Sequence, residues 1–435
     1  GQTGQTPNPP APETESEYAG PAILSRGASS VFRTPQSLKL RPFVTLNGVH
    51  ETGITGVTVQ PDGSVPDDSS WGAEAIVGAY GYQRLRRGVI GLDYKGNYRH
   101  YSRNSYYNGT DQLLALVVSR QASKRVSFTL RESAGTFSRS FQDYFDGFGD
   151  LDPSFANVPA SELFDGRTNY LSTLGDLTYA QSARLSFNMG GDGFLVRRRS
   201  KALFGVTGYR ARGDVNYRAS RRTTMGVHYS FTHYEYTKAF GASDFHTVSY
   251  NHSIRIGRRA ELGLQVGGAR VETLGIARVA IDPVIAAILG QTYGVQALYR
   301  VNYVPVLGAR ISQGFRTSHV SVSYHQAPNS GNGVYLTSRH QTARADYSYT
   351  GIRRWHFGAS GGYNYLGSLT QTLGSLRGWE GGAGANYQLG AGMHITTRAD
   401  FRRHKIGQTT FERTQTHLTV GFSFSPGEVP LSFWR

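Results

Sequence analysis

Between Gly392 and Phe424 the sequence alternates. Met393, Ile395, Thr397, Ala399 and Phe401 are mostly apolar, and Gly392, His394, Thr396, Arg398, Asp400 and Arg402 stand between them. The pattern returns as Leu418, Val420, Phe422 and Phe424, interleaved with His417, Thr419, Gly421 and Ser423. A period of two means a β-strand with one apolar and one polar face. Runs of about ten such residues, separated by turns, mark a β-barrel that crosses a membrane. The whole chain repeats this unit, so the expected fold is all-β: a closed antiparallel transmembrane β-barrel of about 18 strands.

Strands are expected at 38–51, 71–84, 88–101, 110–122, 125–137, 170–181, 184–195, 203–218, 223–237, 243–256, 260–272, 303–315, 319–327, 334–350, 354–366, 377–389, 392–405 and 412–424. Their connections alternate in length. Short turns such as Ser123-Lys124, Ser182-Ala183 and Gly390-Ala391 follow every even strand, and longer loops follow the odd ones. Outer-membrane barrels pair short periplasmic turns with long outer loops, and a soluble sandwich has no reason to. Aromatic residues gather near strand ends: Tyr98, Tyr101, Tyr106 and Tyr107; Tyr229, Tyr234 and Tyr236; Trp355, Tyr363 and Tyr365; Trp379 and Tyr387. Rings with one polar edge suit the lipid–water boundary.

Composition removes competing classes. A chain of 435 residues is long for one soluble domain, and a large barrel is the exception. Mean hydropathy is −0.39 and no run of about 18 apolar residues occurs, so no transmembrane helix is expected. There is no cysteine, hence no disulfide or thiolate metal site. The net charge of +16 suggests nucleic acid at first sight, but the basic residues lie at turns and on polar strand faces, with no nucleic-acid motif among them. Residues 1–12 have neither the basic start nor the apolar core of a signal peptide, so the chain is read as already processed.

Three regions follow. Residues 1–37 form a Pro- and Glu-rich arm, either a periplasmic tail or a segment tucked into the barrel. Residues 38–424 form the barrel, and 425–435 a C-terminal tail. The longest outer loop, 138–169, is acidic and aromatic in a basic chain, with Asp143, Asp146, Asp150 and Asp152. A second, 273–302, carries Asp282-Pro283 ahead of an apolar run and should hold a short helix ending at Gly290. A third, Pro328 to Gly333, reads as a plain turn.

On the polar faces, Arg41, Lys95, Arg99, Arg131, Arg210, Arg212, Arg255, Arg310, Arg344, Arg398 and Arg402 are assigned to the lumen. Glu74, Asp93, Asp214, Glu261, Asp346, Glu380 and Asp400 stand against them. Charge facing lipid at the midplane costs roughly 2–4 kcal/mol for Arg or Lys, which is why these groups point inward. Two readings remain open: the basic excess favours anions, or Arg–Asp pairs such as Arg398 with Asp400 and Arg344 with Asp346 neutralise the wall. Basic turns at Arg86-Arg87, Arg221-Arg222, Arg258-Arg259 and Arg353-Arg354 lie at the inner rim, and Arg197-Arg198-Arg199 at the outer one, where lipid or surface-glycolipid phosphates are available partners. His228, His233, His246, His252 and His394 sit in no catalytic or metal motif. Asp146, Asp150 and Asp152 do not follow EF-hand spacing. No enzyme activity, cofactor or metal is therefore expected.

From Leu38 to Phe424 the chain resembles bacterial porins, in architecture rather than by a strict motif. The resemblance implies a bacterial outer-membrane location. It also implies a passive channel for small hydrophilic solutes, a homotrimer, and a loop between the fifth and sixth strands that folds into the pore. Loop 138–169 holds that place, with Asp143, Asp146, Asp150 and Asp152 facing arginines across it. A channel specific for sugars and a plugged barrel with a structural or surface-binding role are the alternatives.

Overall fold

The period-two pattern becomes eighteen strands in a computed structural model. They are β1 (Arg41–Thr52), β2 (Ser69–Leu85), β3 (Gly88–Tyr101), β4 (Gly109–Gln121), β5 (Val126–Phe137), β6 (Thr168–Ala180), β7 (Leu185–Arg198), β8 (Gly205–Arg218), β9 (Thr223–Thr237), β10 (Ala242–Ile256), β11 (Ala260–Ala280), β12 (Tyr293–Gly314), β13 (Ser318–Gly331), β14 (Leu336–Ile352), β15 (Trp355–Ser368), β16 (Ser375–Gly390), β17 (Met393–Ile406) and β18 (Glu412–Phe424). The structure describes residues 40–53, 69–85, 87–103, 108–137, 167–199, 203–237, 240–257, 259–280, 293–331, 336–369, 374–390, 392–407 and 412–426.

Every strand pairs antiparallel with its neighbours in sequence, and β1 closes the ring by pairing with β18 as well as β2. Val44 sits opposite Val77 on one side and Phe424 on the other. Closure gives each strand a hydrogen-bonded neighbour on both sides, the condition for a sheet in hydrocarbon. The turn between β16 and β17 shows what tight reversal demands. Gly392 has φ +77°, and a Cβ there would lie 2.2 Å from the Ser425 carbonyl oxygen.

Register fixes which side chains meet lipid. On β18, Leu418, Val420, Phe422 and Phe424 are exposed outward, while His417 and Ser423 point in and are buried. The same alternation puts Val77, Ile90, Leu116, Leu130, Val248, Val266 and Ile311 on the outside. Glu132 is an exception in this band, and its carboxylate accepts a 2.8 Å hydrogen bond from the Thr173 hydroxyl. In β11, Val266→Arg should lower folding stability in lipid by roughly 2–4 kcal/mol, because the charge enters hydrocarbon. Gln265→Arg, one residue away and facing in, should cost less than about 1 kcal/mol. Refolding titrations into vesicles compare the two, and equal costs would mean that the register is wrong.

Two stretches differ from the sequence reading. Strands β11 and β12 run on to Ala280 and back from Tyr293, so most of loop 273–302 is a long hairpin. Its Val, Tyr and Leu content suits an extended ribbon. The helix expected over 282–290 lies outside the described residues, as do the arm 1–37 and nearly all of the acidic loop. Pro328 to Gly331 is not a plain turn either, since β13 continues to Gly331, and Asn332 and Gly333 lie outside the described residues. Of the aromatic residues assigned to girdles, Tyr98, Tyr229, Trp355, Tyr363, Tyr365, Trp379 and Tyr387 share the outward register. Tyr101, Tyr234 and Tyr236 are buried on the inner face. Closeness to a strand end does not decide the face; parity does.

Candidate functional site: the inner wall

All eleven basic residues assigned to the lumen lie on inward register positions, and so do the seven acids set against them. Most of the bases named are already paired. Arg210 Nε donates to Asp192 at 2.7 Å, and Arg212 forks onto Asp176 at 2.6 and 2.7 Å. Arg344 meets Asp346 at 3.1 Å and Arg398 meets Asp400 at 2.5 Å. Arg402 lies 3.7 Å from Glu380, and Arg99 pairs with Asp111. His228 Nδ1 is 2.5 Å from Asp214. Arg255 faces Glu261 across the β10–β11 ladder. Asp111, Asp176 and Asp192 were not singled out from the sequence. Their signal was present, as each holds a polar position in a period-two run. Asp143, Asp146, Asp150 and Asp152 lie outside the described residues.

The wall has three sectors. Along β1–β4, β17 and β18 the polar inward side chains form a buried network. Glu74 accepts from Asn47 at 2.9 Å and from Asn97 at 2.6 Å, Thr45 donates to Ser423 at 2.9 Å, and Glu51 accepts from Tyr101. Along β7–β12 the outer third is apolar: Phe194, Val196, Val206, Tyr234, Tyr236, Phe245, Val271, Val304 and Val306 pack as one buried cluster. Tyr234 and Phe245 meet edge to face at 4.9 Å. Away from that cluster and network, Asp176, Arg212, Asp214, His228 and Arg344 remain one-fifth to three-tenths exposed. These half-exposed ion pairs are where dissolved solutes can meet the wall.

A hairpin narrows the outer mouth. The β12–β13 ladder stops at Leu307↔Gln326, but β13 and β14 stay paired beyond it to Gly331↔Leu336. Pro305 explains the stop. Its carbonyl points toward β13 and accepts from the Gln326 side chain at 3.0 Å, and proline has no N–H to give on that side. Released from β12, the hairpin crosses to the far strands. The Tyr236 hydroxyl sits 2.8 Å from Thr337 Oγ1 and accepts from the Thr337 backbone N–H at 2.6 Å. Ser243 Oγ is 2.7 Å from the same Thr337 hydroxyl. Tyr236 and Ser243 face inward on β9 and β10, so these contacts lie inside the ring. Pro328 by itself reads as a turn former, so the local sequence does not show this element.

The histidines considered for catalysis do not converge. His228 and His394 face in, while His233, His246 and His252 face out beside Asp244, Tyr229 and Tyr250. Among the described residues no group of His, Cys, Asp or Glu is suited to holding a metal.

A closed, even-stranded ring with an apolar outside and a charged inside defines a porin-like β-barrel of the bacterial outer membrane. No protein-family model and no curated protein sequence matches the chain. Among solved structures it is similar to Pseudomonas aeruginosa OccK2 (OpdF), at 14% identity and a TM-score of 0.44, covering 90% of this chain and 99% of that one. It is also similar to a BenF-like porin from Pseudomonas fluorescens, at 11% identity and a TM-score of 0.43, over 90% and 99% of the two chains.

Proposed function

We infer that the protein is a channel for passive diffusion of small hydrophilic solutes, with a weak preference for anions. One observation carries this reading: a charged, half-exposed inner wall inside an eighteen-stranded ring. Rings of this size leave room for water. The preference is weak because most of the inward arginines named are matched by acids, and only the basic excess acts on passing ions. Loop 138–169 constricts the path in this reading. Leu113, Ala115 and Val117 support it, as inward, buried apolar residues on the wall that an aromatic loop can cover. The molecule works as a channel and not as an enzyme.

A plugged barrel is the second reading, favoured by the near-complete burial of inward Thr45, Glu74, Asn97, Asp111 and Ser423. Planar-bilayer recording separates the two. Open conductance with a reversal potential on the anion side supports the channel. Silence that ends when residues 1–37 are deleted supports the plug, and silence in both forms rejects the channel.

A further inference from the structure

The outer wall of β14–β17 changes character row by row. Ala345, Gly361, Gly381 and Phe401 lie side by side across the four strands. The next row toward the outer mouth is Ala343, Tyr363, Trp379 and Arg403. The row after that is Gln341, Tyr365, Arg377 and Lys405. Hydrocarbon-facing residues thus give way to a ring pair, Tyr363 and Trp379 with centroids 4.5 Å apart, and then to cations. That succession marks the height at which acyl chains end and headgroups begin.

The cations are arranged unusually. Arg339 and Arg377 both lie against the Tyr365 ring, at 5.4 and 5.8 Å from its centroid. Two guanidinium groups drawn to one ring repel each other unless an anion sits with them. Among the described residues around Tyr365 the wall supplies none. Glu412 opposite Lys405 is engaged by Arg403, and no Asp or Glu occurs from Tyr347 to Trp379. Nε of Arg339 is buried without a hydrogen-bond partner.

The geometry points to a seat for the phosphate group of an outer-leaflet glycolipid, formed by Arg339, Arg377 and Lys405 around Tyr365. Guanidinium forks match phosphate oxygens in charge and shape. The ligand is a lipid and not dissolved phosphate because the seat opens sideways at headgroup height. Beneath it Ala345, Gly361 and Gly381 keep the wall smooth for an acyl chain.

The test uses the full-length barrel in detergent and a bis-phosphorylated, acylated glucosamine disaccharide as probe, with binding read by native mass spectrometry. One molecule should bind, and Arg339→Gln/Arg377→Gln/Lys405→Gln should weaken it at least about tenfold. The heat-dependent gel shift of a closed barrel should be unchanged. Arg221→Gln/Arg222→Gln, at the opposite rim, should leave binding as it is. The single variants R377Q and K405Q, each at an exposed side chain, should weaken binding about threefold apiece, so a misfolded triple variant does not spoil the test. Undiminished binding by the folded triple variant overturns the proposal. Equal binding of the dephosphorylated lipid overturns it as well, as does displacement of the lipid by equimolar inorganic phosphate.

Discussion

Arg212→Gln/Arg344→Gln should shift the reversal potential of the proposed channel toward the cation side. Arg212 now forks onto Asp176, and Arg344 holds Asp346 at 3.1 Å. Both pairs are partly exposed on the inner wall. Removing the guanidiniums leaves two carboxylates facing the path. Each acts on an ion about 8 Å away with roughly 0.5 kcal/mol in water, so two together give about 1 kcal/mol. That is roughly a fivefold change in the occupancy of each ion, upward for cations and downward for anions. Reversal potentials across a salt gradient measure it. Arg270→Gln is the control, because Arg270 pairs with Glu272 on the outside. An unchanged preference in the double variant would mean that ions pass elsewhere or do not pass at all.

Much of this was legible in the sequence. Parity alone located the inward charges, since a charged residue at the wrong parity would sit in lipid. The alternation of short and long connections told which end is which. The pairings were less legible. Arg344 with Asp346 and Arg398 with Asp400 are two residues apart on one strand, so local sequence shows them. Arg212 with Asp176 spans two strands of the ring, and only the ladder register brings them together. Tyr234 and Tyr236 face inward: aromatic enrichment near a strand end does not fix parity. The β13–β14 hairpin was invisible for a different reason. Its departure from the wall is caused by Pro305, on a neighbouring strand more than twenty residues earlier.

Replacing residues 330–337 with an Asn-Gly turn between the paired Asn329 and Ser338 should raise single-channel conductance at least about twofold. The shortened hairpin could then no longer reach β9 and β10, and a two-residue turn of this type closes antiparallel strands without strain. The apolar cluster around Tyr234 and Phe245 would lose contact with Leu336, which packs against it, and water would enter the mouth. A cross-link tests the same geometry without deletion. The chain has no cysteine, so Ser243→Cys/Thr337→Cys introduces a single pair at hydroxyls now 2.7 Å apart. The pair should oxidise under a mild oxidant, which a gel without reductant would show, because its side chains already touch. Conductance of the cross-linked form should match the wild type, since the bond only holds the hairpin where it already rests. A pair that stays reduced, together with a deletion that leaves conductance unchanged, would place the hairpin outside the conducting path.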